Sequence, residues 1–253
     1  MSVAAPPATA GWGKFKVLWL IQLSRLRTSW RPYLIVSSAM PLGIAVLLRA
    51  VMDDAQIDRY GEQIVAGCAV LAIAMTAVVM LAQRVSSLKE TGALDYYATL
   101  PVSRAAVVGA VLLSFSVFAL PGTVIVVLAG SSMFGFSLAA VWAAVPVWIL
   151  GSFALSGVGA AIGFAAPDEQ LAGMYSNLAM MAVLFLGILP SASLPRWVAP
   201  LKAVLPSTYA VDALKPGLHG AVAASAGWDF LILGAFGLVS FWAVSGPLWP
   251  EGE

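Results

Sequence analysis

The stretch RVSSLKETGALDYYATLPVSR (residues 84–104) separates two long apolar runs, residues 63–83 and 105–130. It carries five charged residues of a total of 25, counted as 13 basic and 12 acidic residues. Neither flanking run contains a charged residue. About 20 apolar residues in a helix suffice to cross the hydrocarbon core of a bilayer. The contrast therefore predicts a polar loop between two transmembrane helices.

The whole chain has the composition of a membrane protein. Of its 253 residues, 61% are hydrophobic and 10% are charged, whereas about 25% are charged in soluble domains. The apolar runs are long and lack the period-two alternation of barrel strands, so they predict helices. We predict an all-α membrane protein that forms one transmembrane domain over residues 1–253. Its six expected spans are residues 33–51, 63–83, 105–130, 138–164, 171–190 and 228–249.

The segment GWGKFKVLWLIQLSRLRTSWRP (residues 11–32) is too charged to span a bilayer. Its apolar residues recur at steps of three and four, with basic residues on the flanks, as in an amphipathic helix at a membrane surface. We expect an interfacial helix over residues 11–31, broken by Pro32 where the chain enters the bilayer. The alternative is a plain basic flank of the first span. No small-residue cleavage site follows that span, which is therefore expected to remain as an anchor.

The distribution of Lys and Arg predicts the orientation in the membrane. The region before the first span and the stretch 84–104 together hold eight of the 13 basic residues. With two spans between them, both regions lie on the same side, which the positive-inside rule makes cytoplasmic. Six spans then place both termini in the cytoplasm. The membrane is expected to be the cytoplasmic (inner) membrane.

A second unusual segment precedes the last run: ILPSASLPRWVAPLKAVLPSTYAVDALKPGLHGA, residues 188–221. Its five prolines break any full span, yet apolar residues persist between them. We expect short re-entrant outer helices in residues 190–221, one over about 195–204 and another over about 207–215, each started by a proline. Asp212 and Lys215 have a helical spacing that could pair them. The alternative is a collapsed extracellular loop.

These segments resemble the type-2 ABC transporter permeases. The inner stretch contains Glu90-Thr91-Gly92, then Ala93-Leu94-Asp95, then Pro101-Val102-Ser103-Arg104, in the order of that family's first cytoplasmic loop. The outer segment is similar to the family's stretch before the last span, with its Thr-Tyr-Ala-Val-Asp-Ala-Leu run at residues 208–214. With six spans and an amphipathic N-terminus, the resemblance covers essentially the whole chain.

The resemblance implies that residues 84–104 form a coupling region seated in a cytosolic ABC ATPase subunit. The residues agree, because apolar and aromatic side chains among charges are typical of docking surfaces, and Ser87 and Glu90 have capping-box spacing before a break at Gly92. A solvent-exposed, idle loop is the alternative. The expected ATPase-coupling residues are Glu90, Thr91, Gly92, Leu94, Asp95, Tyr96, Tyr97, Pro101 and Arg104.

The chain shows no catalytic constellation of its own. It lacks the GxxxxGK[ST] phosphate-binding loop, so ATP and Mg are expected in the partner subunit and no cofactor in this chain. The single histidine, His219, has no His or Cys partners for a metal and is expected at the surface. The single cysteine, Cys68, is expected to be a small core residue. The sequence has no basic patch with interleaved aromatic residues, so it does not predict nucleic-acid binding.

The predicted spans contain polar groups, among them Asn177, but no acid or base at hydrocarbon depth, which disfavours proton- or sodium-coupled transport. The glycines of the fourth run, at 151, 157, 159 and 163, predict close helix packing. An apolar cavity suits a lipophilic substrate. Residues that could line it are Phe115, Phe118, Trp148, Phe153, Met180 and Phe185, with packing in the core as the alternative for each of them. The expected outer gate consists of Leu194, Trp197, Leu201 and Tyr209.

The combined interpretation is the transmembrane subunit of an ATP-driven exporter of drug-like or other hydrophobic compounds, not an enzyme itself. Six spans are half of what such exporters use, so a second copy or a related permease should pair with it in the lipid bilayer. Two alternatives stay open: export of lipid or lipid-linked glycan, and a membrane-anchored scaffold or sensor without transport.

Overall fold

The structure, a computed structural model, describes residues 16, 19, 20, 24, 30–93, 103–137, 140–188, 202, 205–219 and 226–246. The described residues form helices and no strand. There are seven helices among them if residues 54–90 are counted as one continuous helix. The helices are α1 (Trp30–Val51), α2 (Asp54–Glu90), α3 (Arg104–Phe134), α4 (Ala140–Ala165), α5 (Glu169–Ile188), α6 (Pro206–Leu218) and α7 (Ala226–Ser245).

Helix boundaries follow from local capping residues. Asp53 starts α2 with a capping box, in which its carboxylate accepts from the Gln56 N–H at 2.8 Å and the Gln56 side chain accepts from the Asp53 N–H. The Ser103 hydroxyl caps α3. Gly135 ends that helix at φ 76°, a left-handed conformation that glycine adopts without steric penalty. Pro206 opens α6, where its missing N–H leaves no intrahelical hydrogen bond unmade.

Five of these helices are long and apolar enough to cross a membrane: α1, α2, α3, α4 and α7. They coincide with the first four expected spans and the last one. Helix α5, with 20 residues, occupies the place of the expected fifth span. The protein is therefore a multi-pass helical membrane protein, and a count of six spans stays a prediction.

Helix α2 lies at the centre of the bundle. Every residue from 64 to 74 is buried, including Cys68, which confirms its expected place in the core as a free thiol. It packs against α1, α3, α4, α5 and α6. By contrast, α1 and α7 bury only about a fifth of their apolar windows, 22% and 17%. Their outward faces are apolar, as expected for helices that face lipid.

The middle of α2 is a π-helix over Met75–Met80, where the Leu81 N–H bonds to the carbonyl oxygen of Thr76, five residues earlier. The widened turn lies against Gly159 of α4. A β-carbon at Gly159 would lie 2.8 Å from the Val78 carbonyl oxygen, closer than real β-carbons approach an oxygen. Nothing in the sequence pattern predicted this π-helix, because it replaces an α-helical turn without changing the apolar composition.

Three of the four glycines expected to pack closely do so. A β-carbon at Gly157 would lie 2.9 Å from the Cα of Ser240 on α7, and one at Gly163 would lie 2.6 Å from the Ala82 carbonyl oxygen on α2. With Gly159, they let α4 approach two helices at backbone distance, as the small-residue spacing predicted. Gly151 differs, because a β-carbon there would lie 3.7 Å from the Ala210 β-carbon, an ordinary contact distance.

The bundle has two ends, which we name by the orientation predicted from Lys and Arg. The inner end contains the last turn of α2, the first turn of α3, the turn between α4 and α5, and the last turn of α7. The outer end contains the first turns of α2 and α7, the last turn of α3, and helix α6. A small apolar core at the inner end is formed by Leu81, Val85, Leu88, Val107, Val108, Val111, Leu112, Phe115, Ala160 and Val244.

The break expected at Pro32 is wrong, whereas one of the two short helices expected in residues 190–221 is present. Pro32 does not end a helix; it lies in the first turn of α1, where proline is tolerated because that N–H has no intrahelical acceptor. The expected helix over about 207–215 is present as α6, although its re-entrant placement in a membrane stays a prediction. The helix expected over 195–204 and most of the interfacial helix over 11–31 lie outside the described residues.

Candidate functional site: the inner end of the helix bundle

The coupling element Glu90-Thr91-Gly92 lies at the exposed C-terminal end of α2. All three residues are exposed, whereas Leu88 one turn earlier is buried in the inner core. Gly92 has φ 67°, and its N–H bonds to the Lys89 carbonyl oxygen at 3.1 Å. The predicted break at Gly92 is confirmed, since only glycine takes this left-handed conformation without strain.

The capping box predicted for Ser87 and Glu90 is wrong. Both residues belong to the last turns of the continuous helix α2, so there is no helix N-terminus for Ser87 to cap. Instead, the Ser87 carbonyl oxygen accepts from both the N–H and the hydroxyl of Thr91, the hydroxyl at 2.8 Å. These hydrogen bonds satisfy a C-terminal carbonyl that would otherwise have no partner in the helix.

Lys89 reaches across to the C-terminus of α4. Its Nζ donates to the carbonyl oxygen of Phe164 at 3.0 Å and to that of Ala166. The last carbonyls of a helix lack intrahelical donors and carry the negative end of the helix dipole, so an ammonium there is favourable twice over. The sequence offered no signal for this contact, whose partners are 75 and 77 residues apart in the chain.

Glu90 lies at the opposite kind of helix terminus, the N-terminus of α5. Its Oε2 accepts from the backbone N–H of Glu169 at 3.4 Å, a long hydrogen bond on an exposed side chain. In the same turn, the Asp168 carboxylate accepts from the N–H of Leu171 at 2.7 Å. Carboxylates are stabilising at this terminus because its free N–H groups carry partial positive charge.

The structure does not describe the side chains of the remaining expected coupling residues. Arg104 is the first residue of α3, but its side chain lies outside the described part. Their role stays a prediction, and so does the docking surface they would form. The expected coupling residues outside the described residues are Leu94, Asp95, Tyr96, Tyr97 and Pro101.

The six residues expected to line a cavity lie in different surroundings. Phe115 belongs to the inner core and Phe153 packs against it. Met180 belongs to the larger core around α2, and Trp148 packs against that core. The Trp148 Nε1 donates to the Ser116 carbonyl oxygen at 2.6 Å. Phe118 on α3 is partly buried, and Phe185 on α5 is 55% exposed. A single cavity lined by all six stays a prediction.

Of the expected outer gate, the structure describes Tyr209. Its ring lies on α6, partly buried, with its centroid 6.4 Å from that of Phe236 on α7. Leu194, Trp197 and Leu201 lie outside the described residues.

Charged residues gather beside α6 at the outer end. The predicted pair of Asp212 and Lys215 is confirmed, with Nζ and Oδ1 2.6 Å apart. Burial lowers the pKa of the Lys202 ammonium; Asp212 opposes this by raising it, and Lys215 lowers it further.

A second outer contact joins α2 to the end of α6. His219 Nε2 and Glu62 Oε1 are 2.6 Å apart, and the His219 ring meets Phe136 edge to face at 5.5 Å between centroids. His219 is exposed, as predicted, but sequence reasoning missed both partners because they lie far away along the chain. Across the described residues, no group of three His, Cys, Asp or Glu side chains is placed to hold a metal ion.

An all-helical bundle with several membrane-crossing helices and exposed polar turns at its inner end defines the class: a multi-pass membrane protein. The family model for the ABC-2 type transporter matches residues 13–218, so the chain belongs to that family. Members of this family are membrane components of transporters, which in general work with an ABC ATPase partner. No curated protein sequence matched the chain.

Proposed function

We propose that this chain is the transmembrane permease subunit of an ATP-driven exporter for a hydrophobic or amphipathic, drug-like substrate. ATP is hydrolysed by a separate subunit, and the permease lies in the cytoplasmic membrane with both termini inside. The observation that carries the proposal is the Glu90-Thr91-Gly92 element, exposed at the end of the central helix of a chain in the ABC-2 family.

An apolar substrate is supported by the chemistry of the central helices. Residues 63–83, 105–134 and 140–165 contain no Asp, Glu, Lys or Arg. An ion or a sugar chain needs polar groups along its path to replace lost hydration, whereas a lipophilic compound does not. Polar groups there are mainly hydroxyls, and those of Ser114, Ser116 and Thr123 bond to their own helix backbone.

Pairing with a second copy is supported by the exposed face of α5. Near the middle of this helix the Asn177 side chain is exposed, with Met174, Leu178 and Met181 beside it. A carboxamide facing lipid at that depth would leave its donors and acceptors without partners. A face that combines Asn with flexible Met side chains instead suits another protein surface, here that of a partner permease.

The proposal is tested by purifying the tagged chain with its membrane and identifying what comes with it. We expect an ABC ATPase to co-purify, and its ATP hydrolysis in nanodiscs to rise with amphipathic drug-like compounds. Glu90→Ala should abolish that rise while the protein still inserts, and Gln170→Ala, also exposed at the inner end, serves as the matched control. Absence of an ATPase would favour a scaffold, and stimulation by lipid-linked glycan alone would favour glycan export.

A further inference from the structure

The end of α2 makes charge-matched contacts with both sides of the turn between α4 and α5. Lys89 holds the carbonyl oxygens at the end of α4, and Glu90 accepts from the first N–H of α5. A helix C-terminus favours a cation and a helix N-terminus favours an anion, so each neighbour has the sign its helix end prefers. Exchanging the two charges would oppose both helix dipoles.

The Lys89 contact is the stronger of the two. It is partly buried and connects a charged donor to two carbonyls, one of them at 3.0 Å, whereas the Glu90 contact is exposed and 3.4 Å long. Hydrogen bonds that involve a charged group contribute more than neutral ones, especially where water has less access. We call these contacts, of Lys89 with the end of α4 and of Glu90 with the start of α5, the joint. The joint depends mainly on Lys89.

Helix α4 can carry a displacement from this joint across the bundle. At Gly157 it approaches the backbone of α7, and it also packs against α6, where a β-carbon at Gly151 would lie 3.7 Å from the Ala210 β-carbon. Close backbone packing transmits shifts because neighbouring helices cannot slide without clashes. A movement applied at residues 89–92 would thus reach α4 and α5 first, and then α7 through the close approach at Gly157.

We propose that Lys89 is a positioning residue that locks the exposed end of α2 to the turn between α4 and α5, so that movement imposed on the coupling element shifts α4 and α5 with it. The inference rests on the proposed function for the origin of that movement. The joint itself is a property of this chain alone and exists without a partner.

The first test uses the purified chain in lipid nanodiscs and hydrogen–deuterium exchange of amides 166 and 168–172, since Pro167 has no N–H. Lys89→Met removes the ammonium but keeps most of the side-chain length, and should raise exchange there by about tenfold, because the freed turn opens more often. Lys89→Arg keeps the charge and should exchange like the wild type. Arg59→Met removes a cation from the other end of α2 and should have no effect on these amides. Unchanged exchange in Lys89→Met overturns the joint.

The second test uses the complex with the ATPase. Lys89→Met should still assemble and hydrolyse ATP, while substrate moved per ATP falls at least about fivefold, since coupling is a free-energy link between the two sites. Lys89→Arg should restore most of the loss. Normal transport per ATP in Lys89→Met overturns the coupling role. If the wild type binds no ATPase, the proposed function fails instead, while the exchange experiment still decides on the joint.

Discussion

Gly159 and Val78 lie so close that no side chain fits between them: a β-carbon on Gly159 would be 2.8 Å from the Val78 carbonyl oxygen and 2.9 Å from its Cα. Val78 belongs to the π-helix in α2, so the widened turn and the glycine of α4 form one close contact. The contact fixes how the two helices sit in the middle of the bundle. Because the atoms of Val78 at this contact belong to the backbone, a change of side-chain rotamer cannot relieve a clash there.

Gly159→Ala should therefore lower the free energy of unfolding by about 1–3 kcal/mol, the usual range for overpacking a close contact. Gly151→Ala on the same helix is the matched control, because a β-carbon there would lie an ordinary 3.7 Å from its nearest neighbour. It should be neutral or stabilising by about 0.5–1 kcal/mol, since alanine restricts the unfolded chain more than glycine. Thermal unfolding in detergent measures both, and equal midpoints for the two variants would contradict the close contact.

The predicted orientation can be tested with one cysteine at each end of the bundle. Thr91 and His219 are both exposed, and they lie at the inner and outer ends. In a Cys68→Ala background, Thr91→Cys should be protected from an impermeant thiol reagent added to intact cells, and His219→Cys should react. Permeabilised cells provide the control, in which both should label. Reaction of both cysteines in intact cells would refute the predicted sidedness.

The exposed face of α5 predicts a contact between two copies of the chain. In the Cys68→Ala background, Asn177→Cys should form a cross-linked dimer in membranes on mild oxidation or with a short bifunctional reagent. Leu238→Cys, on a 72% exposed position of α7, tests random collision and should cross-link far less. Gel electrophoresis without reductant measures the dimer fraction. Equal fractions for both variants would argue against α5 as the pairing face.

Replacing Tyr209 should slow the release of substrate without affecting ATP hydrolysis by the partner subunit. Its ring packs beside Phe236, so Tyr209→Ala removes apolar contact between α6 and α7 at the outer end. Truncating a partly buried aromatic ring should cost about 1–3 kcal/mol locally, because its packing is lost. We expect slower export from vesicles with ATP hydrolysis retained, whereas Tyr209→Phe should export normally if only packing matters. Wild-type export by Tyr209→Ala would remove this residue from the outer gate.

Local sequence rules predicted the inner end in part. The break at Gly92 and the pair of Asp212 and Lys215 followed from spacing within one helical turn, and the structure confirms both. The Ser87 capping box failed for a related reason: its spacing fits a helix start, but α2 continues as one helix through Ser87 to Glu90, with Leu88 buried in the inner core. Tertiary packing on Leu88 decided between two locally acceptable conformations.

The sequence by itself determined the class of protein, the places of its long helices and its family, because hydropathy over some 20 residues and short motifs are local properties. Only the tertiary structure decided what those helices touch. Lys89 finds its acceptor 75 residues away, and Glu62 meets His219 across 157 residues. The π-helix likewise matches a glycine on another helix. Such partners depend on how helices pack in space, and no spacing within one helix encodes the orientation of its neighbour.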